Sequence, residues 1–512
     1  MTTAAASTAY DQLITHVKDA SLLASTGSLL GWDQETLMPK KGVEHRARQL
    51  AQIARMSHQL GTDPRVDGWL AECEADAAIT GDPLSVAAVN IRELRESYDK
   101  ATKLPEELVV ELSETTSKAK HVWAEAREAD DYDKFEPWLK KIVALNLRKA
   151  ECYGWDTTAG EPWDALADNF ESGMSAAQVS GVFGPLRERL VKLLDGIREA
   201  KQSGKGPSNA FNELKLPIDK QKAFVEYIAK AIGFDFDRGR LDTSTHPFCS
   251  GTHCNDIRLT TRFHEDNVND ALGSTMHESG HGIYEQGLLT ANIGTPMGQA
   301  VGLSIHESQS RMWENQVGRS RAFWVWCYPK LAEYFGDAVK GISEDDIYGG
   351  ANIVSPGLIR VEADEATYNM HIMIRFEIER ALLKGDLSTA DLPDVWNTRY
   401  KEYLGVDVPD NARGCMQDIH WSMGAMGYFP TYTMGNLYSA QLFEQAQEEL
   451  GDLDAMFAQG EFTPLREWLN TNIHQQGKRY KSAALCEKLT GKPLSADPLM
   501  RHLEGKLGVL YA

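Results

Sequence analysis

Cysteine is scarce in this chain, with seven in 512 residues, and the odd set is scattered from Cys73 to Cys486. No disulfide framework follows from such spacing, so a reducing, cytoplasmic setting is the expectation. Long apolar runs are missing as well. Nowhere do about 18 uninterrupted apolar residues occur, which argues against a membrane-spanning helix. Basic side chains are outnumbered, 53 Lys and Arg against 74 Asp and Glu, for a formal net charge of −21. Nucleic acid and anionic membrane both need a basic face to hold them, and neither is expected as a partner. The opening Met1-Thr2-Thr3-Ala4-Ala5-Ala6-Ser7 has no basic residues ahead of an apolar stretch, so no secretory signal is read there.

What remains is an ordinary globular composition, 42% hydrophobic and 25% charged, enough to bury a substantial core. Apolar residues recur at three- and four-residue spacing over Ala9 to Leu30, Glu44 to Gln59, Ser85–Lys103, Glu106–Glu128, Lys134–Tyr153, Ala176–Lys201 and Lys220–Ala231. That is the pattern of helices packed along one side. Helical patterns return over Gly357–Leu383, Leu392–Leu404 and Ser439–Leu450. Between them, Asp256-Ile257-Arg258-Leu259-Thr260-Thr261-Arg262-Phe263 alternates with period two and β-branched residues, a short strand. The expected class is mainly α with one small β element, organised as a single domain over 1–512. Its N-terminal helical part ends at about 235, and the stretch of about 246–432 carries the motifs treated next.

Just after the strand stands Met276-His277-Glu278-Ser279-Gly280-His281, an H-E-x-x-H sequence. On a helix, residues four apart lie on one face, so His277 and His281 can share a zinc ion while Glu278 acts on a water beside it. Gly280 and Gly282 cost helix propensity but allow another backbone or a substrate to come close. A hydrolytic zinc site needs a third protein ligand. Glu307 follows in the next helical pattern, Gln299 to Gln309, after a turn-rich connection that lets the chain fold back. His306 is the rival, since neighbours on a helix point about 100° apart. The cluster His246, Cys249, His253 and Cys254 fits no usual zinc-finger or ribbon spacing.

With these segments in hand, the chain resembles the carboxypeptidase Taq family of zinc carboxypeptidases. The resemblance rests on His246-Pro247-Phe248, Asp256-x-Arg258-x-Thr260, the H-E-x-x-H segment and His306-Glu307-Ser308-Gln309. It continues through Ile359-x-x-x-Ala363-Asp364 and Gly414-x-x-Gln417-Asp418-x-His420-Trp421, and the N-terminal Trp32-Asp33-x-x-Thr36-x-Met38-Pro39 also matches. The resemblance implies a large helical zinc-peptidase fold with a deep active-site groove and a small β-sheet next to the metal site. It further implies zinc held by two His and one Glu (cobalt being a possible substitute), an intracellular homodimer, and release of single residues from the C-termini of peptides with broad specificity.

On that reading His277, His281 and Glu307 hold the metal, and Glu278 is the general base. The free carboxylate of the substrate calls for an arginine. Arg360 is the first choice by resemblance, although Arg360 and Asp364 also suit a helical i, i+4 ion pair; Arg258 and then Arg413 follow. His420 and Tyr432 are candidates to stabilise the developing oxyanion, or else packed core residues, and His246 joins the substrate-binding set. Asp256, Asp364 and Asp418 are candidates to orient the metal-bound imidazoles. An endo-acting zinc oligopeptidase and a catalytically idle peptide-binding protein on the same fold are the alternatives.

Overall fold

The computed structural model describes residues 8–512; Met1–Ser7, read above for a secretory signal, lies outside the described residues. Two compact units make up the chain, each drawn from three separated segments. One gathers Met1–Thr102, Ala210–Glu344 and Gln445–Leu489, the other Lys103–Asn209, Asp345–Glu444 and Thr490–Ala512. Neither unit begins or ends near residue 235. Among the described residues, no helix is long and apolar enough to cross a membrane.

The first unit opens on a helix over Ala9–Thr36, six residues longer than the periodicity suggests. Thr8 accepts from Asp11 N at 3.1 Å while Asp11 returns the bond, closing the first turn in a capping box. Helices over Val43–Gly61 and Val86–Lys103 match the sequence pattern within two residues.

A three-stranded sheet follows, ordered β1-β3-β2, with β1 Gly239–Thr243, β2 Cys249–His253 and β3 Asp256–Thr261. β3 is the strand legible in the sequence, with Ile257 and Leu259 buried on alternate positions. It pairs parallel to β1 and antiparallel to β2. In that arrangement β3 is central, with its backbone bonded on both sides. The edges are β1 and β2.

The helix carrying the H-E-x-x-H segment, Val268–Gly287, is capped by Asn267, which accepts from Asp270 N. It lies on the sheet through Gly282, where a Cβ would stand 2.8 Å from Leu259 and 2.7 Å from Phe234. Thr261 and Ser274 bond across this contact at 2.7 Å. The chain then turns back through two short 3₁₀ segments into a helix over Leu303–Arg311. This helix widens into a π-helical stretch, Met312–Val317, a local distortion often found at functional sites.

In the second unit, helices over Glu106–Ala129, Tyr132–Tyr153, Ala176–Gln202 and Leu392–Leu404 follow the sequence pattern closely. The expected helix from Gly357 does not form; a 3₁₀ turn, Arg360–Glu362, precedes a helix that starts at Tyr368 and runs to Lys384. Asp364 is the reason. Its carboxylate accepts from Ser355 N, Ala366 N and Thr367 N, and such local bonds compete with helical backbone pairing. The final predicted helix begins earlier than its periodicity, at Pro430.

Candidate metal centre

Two helices build the centre. Val268–Gly287 presents His277 and His281 one turn apart, their rings 4.9 Å between centroids. Leu303–Arg311 brings Glu307 opposite. Its Oε2 lies 3.7 Å from His277 Nε2 and 3.5 Å from His281 Nε2. Close approach of the helices is what allows this, because a Cβ on Gly280 would sit 2.6 Å from Gln309 O and from Ser310 Cα. Among the described residues, His277, His281 and Glu307 form the one group of metal-ligand type, with ligand atoms within 4.8 Å of one another.

The backs of the ligands are also held. His277 Nδ1 meets Glu314 Oε2 at 2.9 Å, and His281 Nδ1 meets His306 Nδ1 at 2.6 Å. Both imidazoles therefore turn Nε2 toward Glu307. Arg311 donates to Glu307 Oε1 at 2.7 Å and to Glu314 at 3.2 Å, and Ser310 donates to Glu307 Oε2. Against the cost of burial, Arg311 and His277 hold the Glu307 carboxyl well below its ordinary range. Burial likewise opposes ionisation of Glu314, yet Arg311 and His277 bring it down to about 2. For His281, burial lowers the imidazole to about 3, which leaves it neutral. Burial alone would lower His277 too, but Glu307 and Glu314 raise it. Two imidazole nitrogens and one carboxylate oxygen are a donor set that fits zinc.

Glu278, next to His277, is 6% exposed. Burial pushes its carboxyl up to about 7; His277 opposes the rise, while Glu307 and Glu314 add to it.

A family model described as carboxypeptidase Taq (M32) metallopeptidase matches residues 12–507. The chain belongs to that family. It is a metal-dependent carboxypeptidase, a peptide hydrolase. The thermostable carboxypeptidase 1 of Thermus thermophilus is 46% identical over 509 residues, with 98% of this chain and 99% of that protein covered. Carboxypeptidase 1 of Bacillus subtilis is 36% identical, covering 97% of each. The crystal structure of the M32 carboxypeptidase from Deinococcus radiodurans R1 superposes with a TM-score of 0.94 at 38% identity, over 98% of this chain and 99% of that one.

Other sequence-selected residues of this M32 carboxypeptidase fall into two places. In the unit with the metal ligands, Arg258 pairs with Asp256 at 2.9 Å and lies 4.3 Å over the Trp32 ring. His246 is exposed, its Nδ1 3.0 Å from Pro247 O. In the other unit, Arg360 is 5% exposed. It donates to Asp418 Oδ1 at 3.0 and 2.9 Å and to the Tyr368 hydroxyl at 3.0 Å, and its guanidinium lies 5.2 Å over the Tyr432 ring. The Arg360–Asp364 helix pair weighed above does not occur, since Arg360 lies on a 3₁₀ turn and Asp364 accepts backbone amides. Asp418 also accepts from the buried Arg375 at 2.7 Å. Although burial opposes it, the two guanidiniums hold the Asp418 carboxyl far below its ordinary range. His420 Nδ1 is 4.0 Å from Asp418, with its ring 6.4 Å from Tyr432. Arg413 is exposed and paired with Asp410.

Asp256, Asp364 and Asp418 thus engage other partners, and the side chains meeting the two ring nitrogens are Glu314 and His306. Sequence reasoning missed Glu314 and Arg311; for Arg311 the i+4 spacing from Glu307 was the available signal. Glu379 was also missed. It is fully buried and accepts from Trp163 Nε1, Trp421 Nε1 and Gly427 N at 2.9–3.1 Å. Burial raises its carboxyl from 4.5 to about 7 against the pull of these donors. A raised carboxyl holds a proton in the folded chain that the unfolded chain has released. The resulting stabilisation is full below pH 4.5 and is lost as pH rises through about 7, a span worth on the order of 3 kcal/mol. Glu379→Gln is expected to flatten that part of the pH dependence of the melting temperature, measured by thermal unfolding between pH 4.5 and 8. An unchanged slope would show that Glu379 is ionised throughout.

Proposed function

We propose that this M32 carboxypeptidase releases single residues from the C-termini of peptides, with broad side-chain tolerance. His277, His281 and Glu307 would hold one zinc ion, for which cobalt is a candidate substitute, and Glu278 is the general base. The observation that carries this reading is the convergence of two Nε2 atoms and one Oε2 atom beside the buried Glu278. Zinc bound there supplies Lewis acidity, polarising the scissile carbonyl and acidifying water. Glu278 takes the proton of the attacking water and passes it to the leaving amine. A carboxyl near 7 suits both halves of that transfer, since it is neither too weak to accept nor too reluctant to give.

Arg360 is proposed to bind the terminal carboxylate, with Arg258 as the second choice and His246 as a further substrate contact. His420 and Tyr432 are proposed to donate to the oxyanion. The shared Asp418 supports these roles, because it fixes Arg360 from one side and stands within 4.0 Å of His420. Arg360→Met is expected to lower kcat/KM on free-ended peptides by roughly 10²-fold, the loss of a charge-assisted pair. Steady-state kinetics on free and C-terminally amidated peptides check it. An intact preference for the free end would move the anchor elsewhere.

The domain is proposed to act as one catalytic body over 1–512, as a cytoplasmic homodimer, carried over from the family; sedimentation equilibrium tests the assembly. The activity itself is tested by mass spectrometry of a mixed peptide pool digested with and without chelator. A chelator-sensitive ladder of C-terminal losses is expected. Equal cleavage of amidated peptides would instead mark an endo-acting oligopeptidase, and the absence of any cleavage an idle binding protein.

A further inference from the structure

The two imidazoles of the centre are supported in different ways. His277 is backed directly by a carboxylate, Glu314. Behind His281 stands a second imidazole, His306, whose other nitrogen, Nε2, lies 2.8 Å from Glu285 Oε1. We infer that Glu285 and His306 form a positioning relay that fixes the His281 tautomer with its Nε2 lone pair facing the metal position. The inference rests on the reading of His281 as a ligand and extends it to two residues that touch no metal.

A carboxylate only accepts, so the contact with Glu285 requires the proton on His306 Nε2. With Nε2 as the donor, Nδ1 of His306 is the acceptor of the relay. That atom lies 2.6 Å from His281 Nδ1, and two bare nitrogens at such a distance repel, so His281 carries its proton on Nδ1. Its Nε2 is left as a lone pair, 3.5 Å from Glu307 Oε2. Each link thus sets the next, and orientation starts at Glu285.

Packing holds the middle of the relay in place. The Tyr284 ring lies 5.1 Å from that of His306 and stacks 4.8 Å from that of His474. Its hydroxyl accepts from Val301 N at 3.0 Å. Glu285 comes from the same helix as His281, four residues on, so both ends of the relay move together. There is also an electrostatic reason for an interposed imidazole. Glu278, Glu307 and Glu314 already crowd the centre with carboxylates. A fourth directly against His281 would add charge repulsion in a buried site, whereas an interposed ring passes on orientation and keeps the charge of Glu285 one residue farther out.

The test is zinc affinity of the full chain, by competition with a chromophoric chelator, alongside thermal unfolding of the metal-free forms. His306→Leu removes the acceptor and is expected to weaken zinc binding 10- to 100-fold, the usual effect of losing such a partner. His306→Asn offers Oδ1 near the position of Nδ1 and is expected to recover most of the affinity, which a merely space-filling role would not predict. Glu285→Ala, on a side chain 31% exposed, leaves the fold intact and is expected to weaken binding by roughly 3- to 10-fold. His281→Ala is the control for the underlying reading. If it keeps full affinity, the ligand assignment fails and the relay with it. If His281→Ala loses zinc while His306→Leu and Glu285→Ala bind as the parent does, the relay alone is overturned.

Discussion

Glu278→Gln is expected to lower kcat by about 10³-fold or more while zinc remains bound at one equivalent. The amide matches the carboxylate in size, so the packing around this nearly buried side chain is kept. Only the ability to accept and return a proton is lost. None of the atoms converging on Glu307 Oε2 belongs to Glu278, hence the expectation that metal stays. Metal analysis of the purified variant and single-turnover kinetics check the two halves separately. Turnover within tenfold of the parent would remove Glu278 from the role of base. Loss of zinc together with activity would make it a part of the metal's support instead.

Gly280→Ala is expected to cost roughly 1–3 kcal/mol in stability and to weaken zinc binding by at least about tenfold, of the order seen when a ligand's support is disturbed. Two effects compete. Alanine favours the helix by about 1 kcal/mol over glycine, but its methyl would stand 2.6 Å from Gln309 O and Ser310 Cα. Those atoms are backbone and cannot rotate aside, so the helix bearing Glu307 has to shift, and the carboxylate moves with it. Gly273 offers the comparison within the same helix, since a Cβ there meets nothing within 4 Å. Gly273→Ala is expected to be neutral or stabilising by up to about 1 kcal/mol with zinc affinity unchanged. Denaturant unfolding and chelator competition on both variants decide the matter. Equal behaviour would mean that the helix crossing has slack.

Local signals in the sequence carried well where one element sufficed. Leu392–Leu404 was bounded to the residue, because its apolar spacing lies within one helix and Gly405 caps its end. The pairing of His277 with His281 is likewise a property of a single helix. Glu307 was reachable because the chain doubles back after a short connection. What was not legible depends on contacts between distant segments. The centrality of β3 is set by β1 and β2, whose residues show no clear alternation. The Arg360 turn is set by Asp364 taking backbone amides, and Arg360 itself by Asp418, 58 residues on. Glu314 projects from a π-helical stretch, where the helical spacing rules used on the sequence no longer apply.

The interleaving of the two units bears on how the chain matures. The unit holding the metal ligands includes Gln445–Leu489. From that segment His474 stacks on Tyr284 and bonds to Gln309, the residue at which the two ligand-bearing helices cross. During synthesis at roughly 5–20 residues per second, the ligands leave the ribosome well before this last buttress. A nascent chain that has exposed His277, His281 and Glu307 thus spends on the order of ten seconds with the helix crossing incompletely braced. Metal capture is therefore expected to be a late event, tied to completion of the polypeptide rather than to the emergence of its ligands.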